Sequence, residues 1–331
     1  MAECVESLSD LELAGLREVM DSAALTRHLR GISLGGWQEG AVEEARVVRV
    51  LKHHIGRRCT LEIGLRTGSR WRFVIGKVYR EERTDILHAM REIQEAGFGR
   101  HDEFSVPTPL AYLSSLHFFL QEKAEGPVAK EIFKRGDEQI RAAVAKRCAL
   151  WLARFHVVGP KQGPIDTSER CLSVLRERTR RIGRLGGRCA VKARRLLEWL
   201  EYECTRLREV ELRAGHGSFS PAQLILTEVR TVTVDWDGYD VADPARDVAR
   251  FLYALRRYAL DQLDSVRALD GAAEIFRTTY QAAGPRDFQT NLLFYQVAAC
   301  LKLARTVAHW QEKSEVMLNE GLSLLGLGST Q

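Results

Sequence analysis

One stretch constrains this chain more than any other, His216 to Asp247, HGSFSPAQLILTEVRTVTVDWDGYDVADPARD. Two apolar runs, Leu224-Ile225-Leu226 and Val232 with Val234, flank the polar turn Thr227-Glu228-Val229-Arg230, which is the pattern of a β-hairpin. Such a hairpin presents the loop before its first strand and the acids after its second to one common point. A loop and two carboxylates that converge in this way suit a metal–phosphate group. If the second strand continues past Val234, alternation points Asp235 and Asp237 to one side. Asp247 follows Asp243-Pro244-Ala245-Arg246 and opens a helix, where a carboxylate favours exposed N–H groups.

The remainder of the chain sets the context. With 331 residues and 45% hydrophobic content, it can bury a substantial core in one bilobal unit or two modest domains. Its seven cysteines are scattered and never in CxxC spacing, which argues for reduced thiols in a cytoplasmic protein and against a zinc site. No apolar run approaches the ~20 residues that cross a bilayer. The N-terminus, MAECVESLSD, is acidic and lacks the apolar region of a secretory signal. A net charge of +5 fits an anionic ligand such as a nucleotide without implying nucleic acid.

In chain order, Ser9 to about Leu29 reads as an amphipathic helix with a Ser9–Glu12 capping box, packed on the body of the fold. Gly31 to Gly40 is a glycine-rich linker, with no preceding strand and no following Lys-Ser/Thr to make a Walker loop. Three β-runs follow, Val47–Leu51, Cys59–Leu65 and Arg72–Tyr79, with Gly56, Arg57 and Arg58 in the first turn. Alternation places Lys77 on the strand face of Phe73, Ile75 and Tyr79, where a lysine needs an edge position or an anion. A helix is expected over Thr84–Ala96, a hairpin over Leu110–Gln121 and a long helix over Asp137–Val157 with Ile140, Val144, Cys148, Trp151 and Phe155 along one face. Arg176–Arg195 is the most basic segment. It reads as a solvated, flexible insertion, and the absence of interleaved aromatic residues weakens a nucleic-acid reading. Helices near Val191–Val210, Pro244–Leu260, Leu263–Ala283, Phe288–Trp310 and Ser314–Leu325 complete the chain.

The order and motifs resemble the aminoglycoside phosphotransferase family, the small-molecule branch of the protein-kinase-like fold. The resemblance rests on His216-Gly217-Ser218, Gln223, Asp235-Trp236-Asp237, Asp243-Pro244 and Asp247-x-Ala249, together with the Lys77 strand and the Leu152-Ala153-Arg154-Phe155-His156 helix end. It implies an α+β, bilobal fold with a small β-rich N-lobe over 41–121, a hinge at 122–126 and a larger, mostly helical C-lobe over 127–331. Residues 1–40 precede these as the N-terminal helix and linker, and the catalytic-loop hairpin spans 216–237. Lys77 becomes the ATP-phosphate lysine, with Glu92 or Glu95 as its helix acid, and the Gly56 turn with Arg57 covers the phosphates. Asp235 and Gln223 become the Mg2+ ligands. His156 and Asp247 read as structural. Ser218 stands where the family has its catalytic Asp, and Gln223 where it has its metal-binding Asn. A serine hydroxyl orients a group but does not take a proton as a carboxylate does, so Asp237 is a candidate substitute base. The expected function is ATP-dependent transfer of the γ-phosphate to a hydroxyl of a small molecule. The alternative is a pseudokinase that works through protein partners.

Overall fold

A computed structural model describes residues 10–32, 34, 41–184, 186–304 and 311–327. The chain divides into two units, Met1–Glu125 and Gly126–Gln331.

The first unit is built on an antiparallel sheet of five strands in the order β1-β2-β3-β6-β5. These strands are β1 (Glu44–His54), β2 (Arg58–Thr67), β3 (Arg70–Tyr79), β5 (Pro109–Leu113) and β6 (Phe118–Glu122), with a two-residue β4 (Phe104–Ser105) before β5. Cys59, Leu61, Ile63, Leu65, Val74 and Val78 alternate onto one face. They bury it against Leu16, Val19, Leu25 and Leu29 from α1 (Leu16–Met20) and α2 (Ser22–Arg30). The single helix expected from Ser9 to Leu29 is therefore two. Asp21 breaks it with extended backbone (φ −82°, ψ 111°) and accepts the Ala24 N–H at 2.7 Å, so N-capping overrides the apolar period. Ser9 and most of the Gly31–Gly40 linker lie outside the described residues. Helix α3 (Thr84–Ile93) buries Ile86, Leu87, Met90 and Ile93 as expected. It then widens into a π-turn at Gln94–Phe98 that Gly97 (φ 92°) permits, rather than running as α-helix to Ala96.

The second unit is mainly helical. After α4 (Ala129–Arg135), the long α5 (Glu138–Val158) buries Val144, Cys148, Trp151 and Phe155, while Ile140 in its first turn is exposed. The basic stretch Arg176–Arg195 is a correction to expectation. It forms the end of α6 (Ser168–Gly183) and the start of α7 (Gly187–Cys204), and Ile182, Cys189 and Ala193 are buried in the core these helices share. Several of its charges are paired within the unit, Arg176 with Glu201 at 2.6 Å, Arg181 with Glu177 at 2.8 Å and Lys192 with Glu315 at 2.6 Å, while Arg184, Arg194 and Arg195 are exposed, as a solvated stretch implies. Helices α8 (Ala245–Gln262), α9 (Asp270–Ala283), α10 (Leu292–Leu303) and α11 (Gln311–Leu324) follow. Helix α9 starts later than expected, and residues 305–310 of the helix expected to reach Trp310 lie outside the described residues.

The hairpin forms as β8 (Leu224–Leu226) and β9 (Thr231–Thr233), paired Leu224 to Thr233 and Leu226 to Thr231. Arg147 of α5 holds its turn, donating to the Thr227 carbonyl at 2.9 Å and the Arg230 carbonyl at 2.6 Å. Around it lie two strands the sequence did not announce, β7 (Arg213–Gly215) and β10 (Asp240–Ala242), paired antiparallel. At three residues each they are too short to carry a readable period. Among the described residues no helix is long and apolar enough to cross a membrane.

Candidate active site

Strand β7 leads into His216, and β10 leaves the 3-10 turn Trp236–Gly238, so this ladder holds the loop and the turn together at their bases. They touch at Gly217 (φ 74°), where an added Cβ would sit 2.2 Å from the Gly238 carbonyl oxygen. Only glycine allows both that backbone conformation and that approach.

His216 is fully buried, and its hydrogen bonds assign its protons. Its Nε2 lies 3.1 Å from the Val234 carbonyl, which can only accept, so Nε2 carries the hydrogen. Burial lowers the His216 pKa and keeps the ring neutral, which leaves Nδ1 as an acceptor. Ser218 Oγ lies 3.3 Å from Nδ1 and donates to it. The Ser218 proton is thus directed at a neutral imidazole. The indole of Trp236, 4.7 Å from the His216 ring, packs the other way on Trp151 and Phe155.

Asp247 braces this arrangement as the sequence suggested. Its Oδ2 accepts the His216 backbone N–H at 2.6 Å and lies 3.8 Å from His156 Nε2. Against the cost of burial, Arg246 and the two histidines hold the Asp247 carboxyl well below the usual carboxylate range. His156 is buried with Nδ1 at 2.6 Å from the Tyr280 hydroxyl, a packed structural histidine. Arg246 reaches Asp240 with two 2.6 Å contacts and Asp166 with one of 2.7 Å. Burial pushes the Asp240 carboxyl up to about 6 against the pull of Arg246, so it is still ionised at neutral pH.

The Val234 N–H donates to the Gln223 carbonyl at 2.8 Å, which brings Gln223 alongside Asp235. Asp235 then adopts a left-handed backbone (φ 70°, ψ 59°), strained for a non-glycine residue and of the kind that gathers at functional sites. The strand stops there, so the alternation expected to aim Asp235 and Asp237 together does not apply; a 3-10 turn carries Asp237 instead. Gln223 Oε1 accepts from the Ser220 hydroxyl, which fixes the amide with its oxygen toward the loop. Among the described residues no group of three or more His, Cys, Asp or Glu side chains is placed to hold a metal. Magnesium does not require one. It takes one or two protein oxygens and completes its shell with water and phosphate. The Asp235 carboxylate and the Gln223 amide oxygen are hard donors of that kind.

In the first unit, the register sets Lys77 between Thr60 and Phe119, and only 4% of it is exposed. Glu62, two places along the same face of β2, was missed by sequence reasoning. It is 5% exposed and paired with Arg49 and Lys123, and a lone acid between Leu61 and Ile63 was the available signal. The Gly56 turn (φ 66°) is held by the N-terminal segment. The Gly56 N–H and His53 Nε2 each lie 2.8 Å from Asp10 Oδ2, so this N–H is committed to a carboxylate, while Arg57 is exposed. Glu92 is half-buried on α3, and neither it nor Glu95 forms an ion pair among the described residues.

Residues 65–285 match the model of the phosphotransferase enzyme family, and that span includes the Lys77 strand, the His216 loop and Asp247. The chain belongs to this family. Solved structures of kinases and phosphotransferases share its fold. A glucosamine kinase is 16% identical with a TM-score of 0.63, over 95% of this chain and 82% of the other. A choline kinase from Cryptosporidium parvum is 11% identical with a TM-score of 0.62, over 92% and 96%. A thermostable mutant of aminoglycoside phosphotransferase APH(4)-Ia, in ternary complex with ADP and hygromycin B, is 13% identical with a TM-score of 0.58, over 86% and 96%. A comparison with curated proteins found no match in sequence. The phosphotransferase chain thus has the expected α+β, kinase-like fold, with an antiparallel-sheet unit followed by a helical one.

Proposed function

We propose that this phosphotransferase-family chain transfers the γ-phosphoryl group of ATP to a hydroxyl of a small molecule, with Ser218 and His216 together handling the acceptor proton. The observation that carries the reading is the 3.3 Å contact between Ser218 Oγ and His216 Nδ1, with His216 Nε2 committed to Val234. The structural relatives support it: one is a complex with ADP and a small acceptor, and two are small-molecule kinases by name.

Asp235 and Gln223 would hold magnesium, which when bound neutralises charge on the transferring phosphate. Lys77, buried on its strand, is the phosphate lysine. The Ser218 hydroxyl already donates to His216, so its lone pairs are left to accept the acceptor hydroxyl. In a loose phosphoryl-transfer transition state the acceptor proton leaves late, and orientation carries most of the effect. As the P–O bond to the acceptor forms and the β–γ bridge breaks, the acceptor proton passes to Ser218 Oγ. The serine proton passes to His216 Nδ1 and, because that ring is buried, returns through Ser218 Oγ to solvent once the phosphorylated product has left. Asp247, on the His216 backbone N–H, favours the transient imidazolium. A positioned base typically contributes about 10²–10⁴-fold. The relay recovers part of that range, because burial weakens His216 as a base and Ser218 adds a second proton transfer.

A thermal-shift titration with ATP and magnesium, run beside an ADP-release assay, tests the reading. The wild type is expected to show a magnesium-dependent rise in melting temperature that Asp235→Ala loses, and Ser218→Ala to lose about 10–100-fold in kcat, within the general-base range. No magnesium-dependent rise in the wild type sinks the reading. A rise with no ADP release on any acceptor favours the pseudokinase.

A further inference from the structure

A cavity of about 180 Å³ opens beside the Ser218 loop, wholly within the helical unit. Gly217, immediately before Ser218, and Gly238, immediately after Asp237, form one wall; α6, α8 and α10, with Asp166 before α6 and Asp240 at the start of β10, form the rest. Four cationic side chains line it, Arg170, Arg246, Arg250 and Lys302, against two carboxylates, Asp166 and Asp240. Both carboxylates are engaged by Arg246, and Asp166 also lies 3.7 Å from the exposed Arg170.

Arg250 is the informative residue. Its Nε and Nη1 are shut off from solvent and have no hydrogen-bond partner. Burial first, then the like charges of Arg257 and Arg178, push its pKa down to about 10, with only a smaller opposing pull from Asp247. Lys302 is depressed in the same way, by burial and then by Arg250. A guanidinium with two nitrogens closed off from water and no carboxylate hydrogen-bonded to them is costly, and a ligand anion would meet that need. The volume suits a group about the size of one six-membered ring, since an engineered cavity of about 150 Å³ holds benzene.

We propose that this cavity binds the acceptor, and that the acceptor is an anionic hydroxy compound whose carboxylate or phosphate is met by Arg250, Lys302 and Arg170. The inference rests on the phosphotransferase reading for its chemistry but not for its binding test. The wall formed by Gly217 and Gly238 sets one hydroxyl of such a compound toward Ser218. That oxygen bonds to the γ-phosphorus as ADP leaves with the β–γ bridging oxygen, and its proton follows the Ser218–His216 route.

The test is calorimetric and thermal-shift binding on the full chain without nucleotide. The probes are D-gluconate and D-glucose 6-phosphate as carboxylate and phosphate forms, with inorganic phosphate, D-glucose and D-glucosamine as comparisons. One or both sugar anions are expected to bind and raise the melting temperature, whereas glucose and glucosamine do not; which anion does so identifies the group. Arg250→Met is expected to weaken that binding at least tenfold while melting no lower than wild type. A structural role for Arg250 would lower its melting temperature instead. Arg170→Glu, on an exposed position, repeats the binding loss where folding is not at risk. Equal binding of glucosamine, binding of inorganic phosphate alone, no anion binding, or unchanged affinity in both variants overturns the proposal. Loss of the ATP–magnesium shift with anion binding intact overturns the phosphotransferase reading alone.

Discussion

Arg246 and Arg250 stand one turn apart on α8, and both line the same cavity. Arg246 has its charge met by Asp240 through two contacts of 2.6 Å and by Asp166 at 2.7 Å. Arg250 feels Asp247 only at a distance, and two of its nitrogens have no hydrogen-bond partner. One helix thus carries a cation that completes the fold and a cation that the fold leaves incomplete. Burial alone does not separate structural from ligand-binding charge. The neighbouring groups do, because a paired buried charge stabilises through its partners, whereas an unpaired one is tolerated where a ligand can complete it.

The sharpest way to break this comparison is to remove the completed charge. Arg246→Met leaves Asp240 buried without its partner, and breaking a buried pair of this kind costs about 3–5 kcal/mol. Urea unfolding should show that loss, with a midpoint far below wild type. Gly217→Ala moves the cavity wall without touching either arginine. The left-handed backbone alone costs about 1–2 kcal/mol for a residue with a Cβ, and contact with the Gly238 carbonyl adds to it. An unchanged unfolding midpoint would show that the loop contact is loose.

Acidification probes the paired side. His156 and His216 are held neutral by burial, below the ordinary 6.5, so the unfolded chain binds more protons than the folded one once pH falls toward 6.5. Stability should therefore be flat above pH 7.5 and fall by about 1–1.5 kcal/mol between pH 7.5 and 6. From about 6 downward Asp240, whose pKa is raised, takes up a proton in the folded state and partly offsets the fall. Urea midpoints at pH 7.5, 6.5 and 5.5, with His156→Gln flattening the upper part, measure this. The smallest effect belongs to Arg250→Met, whose stability should match wild type, or exceed it by up to about 1 kcal/mol, because it removes an unpaired charge.

The Lys77 strand, the long α5, the hairpin and the family were legible in the sequence because each carries either a period or a motif. The N-terminal helix was misread because its apolar spacing continues past Asp21, and only packing shows that Asp21 caps a new helix. The basic stretch Arg176–Arg195 was misread for a related reason. Its composition signals solvent, and its buried apolar residues Ile182, Cys189 and Ala193 are few among nine cations. Asp235 and Asp237 were expected to share a side, and the left-handed turn at Asp235 is a backbone choice that no alternation rule contains.

Within the site, sequence determined which groups are present: Ser218 without a carboxylate, Gln223 for an amide oxygen, Asp235 at the end of a strand. It could not say that His216 turns Nδ1 toward Ser218, because that depends on Val234, eighteen positions away, accepting from Nε2. Nor could it distinguish Arg246 from Arg250, two arginines on one helix with the same chemistry. Sequence sets the charges and the local turns. Only the tertiary structure decides which charges meet, since partners such as Asp166 and Arg246 lie eighty residues apart and are joined by packing rather than by spacing.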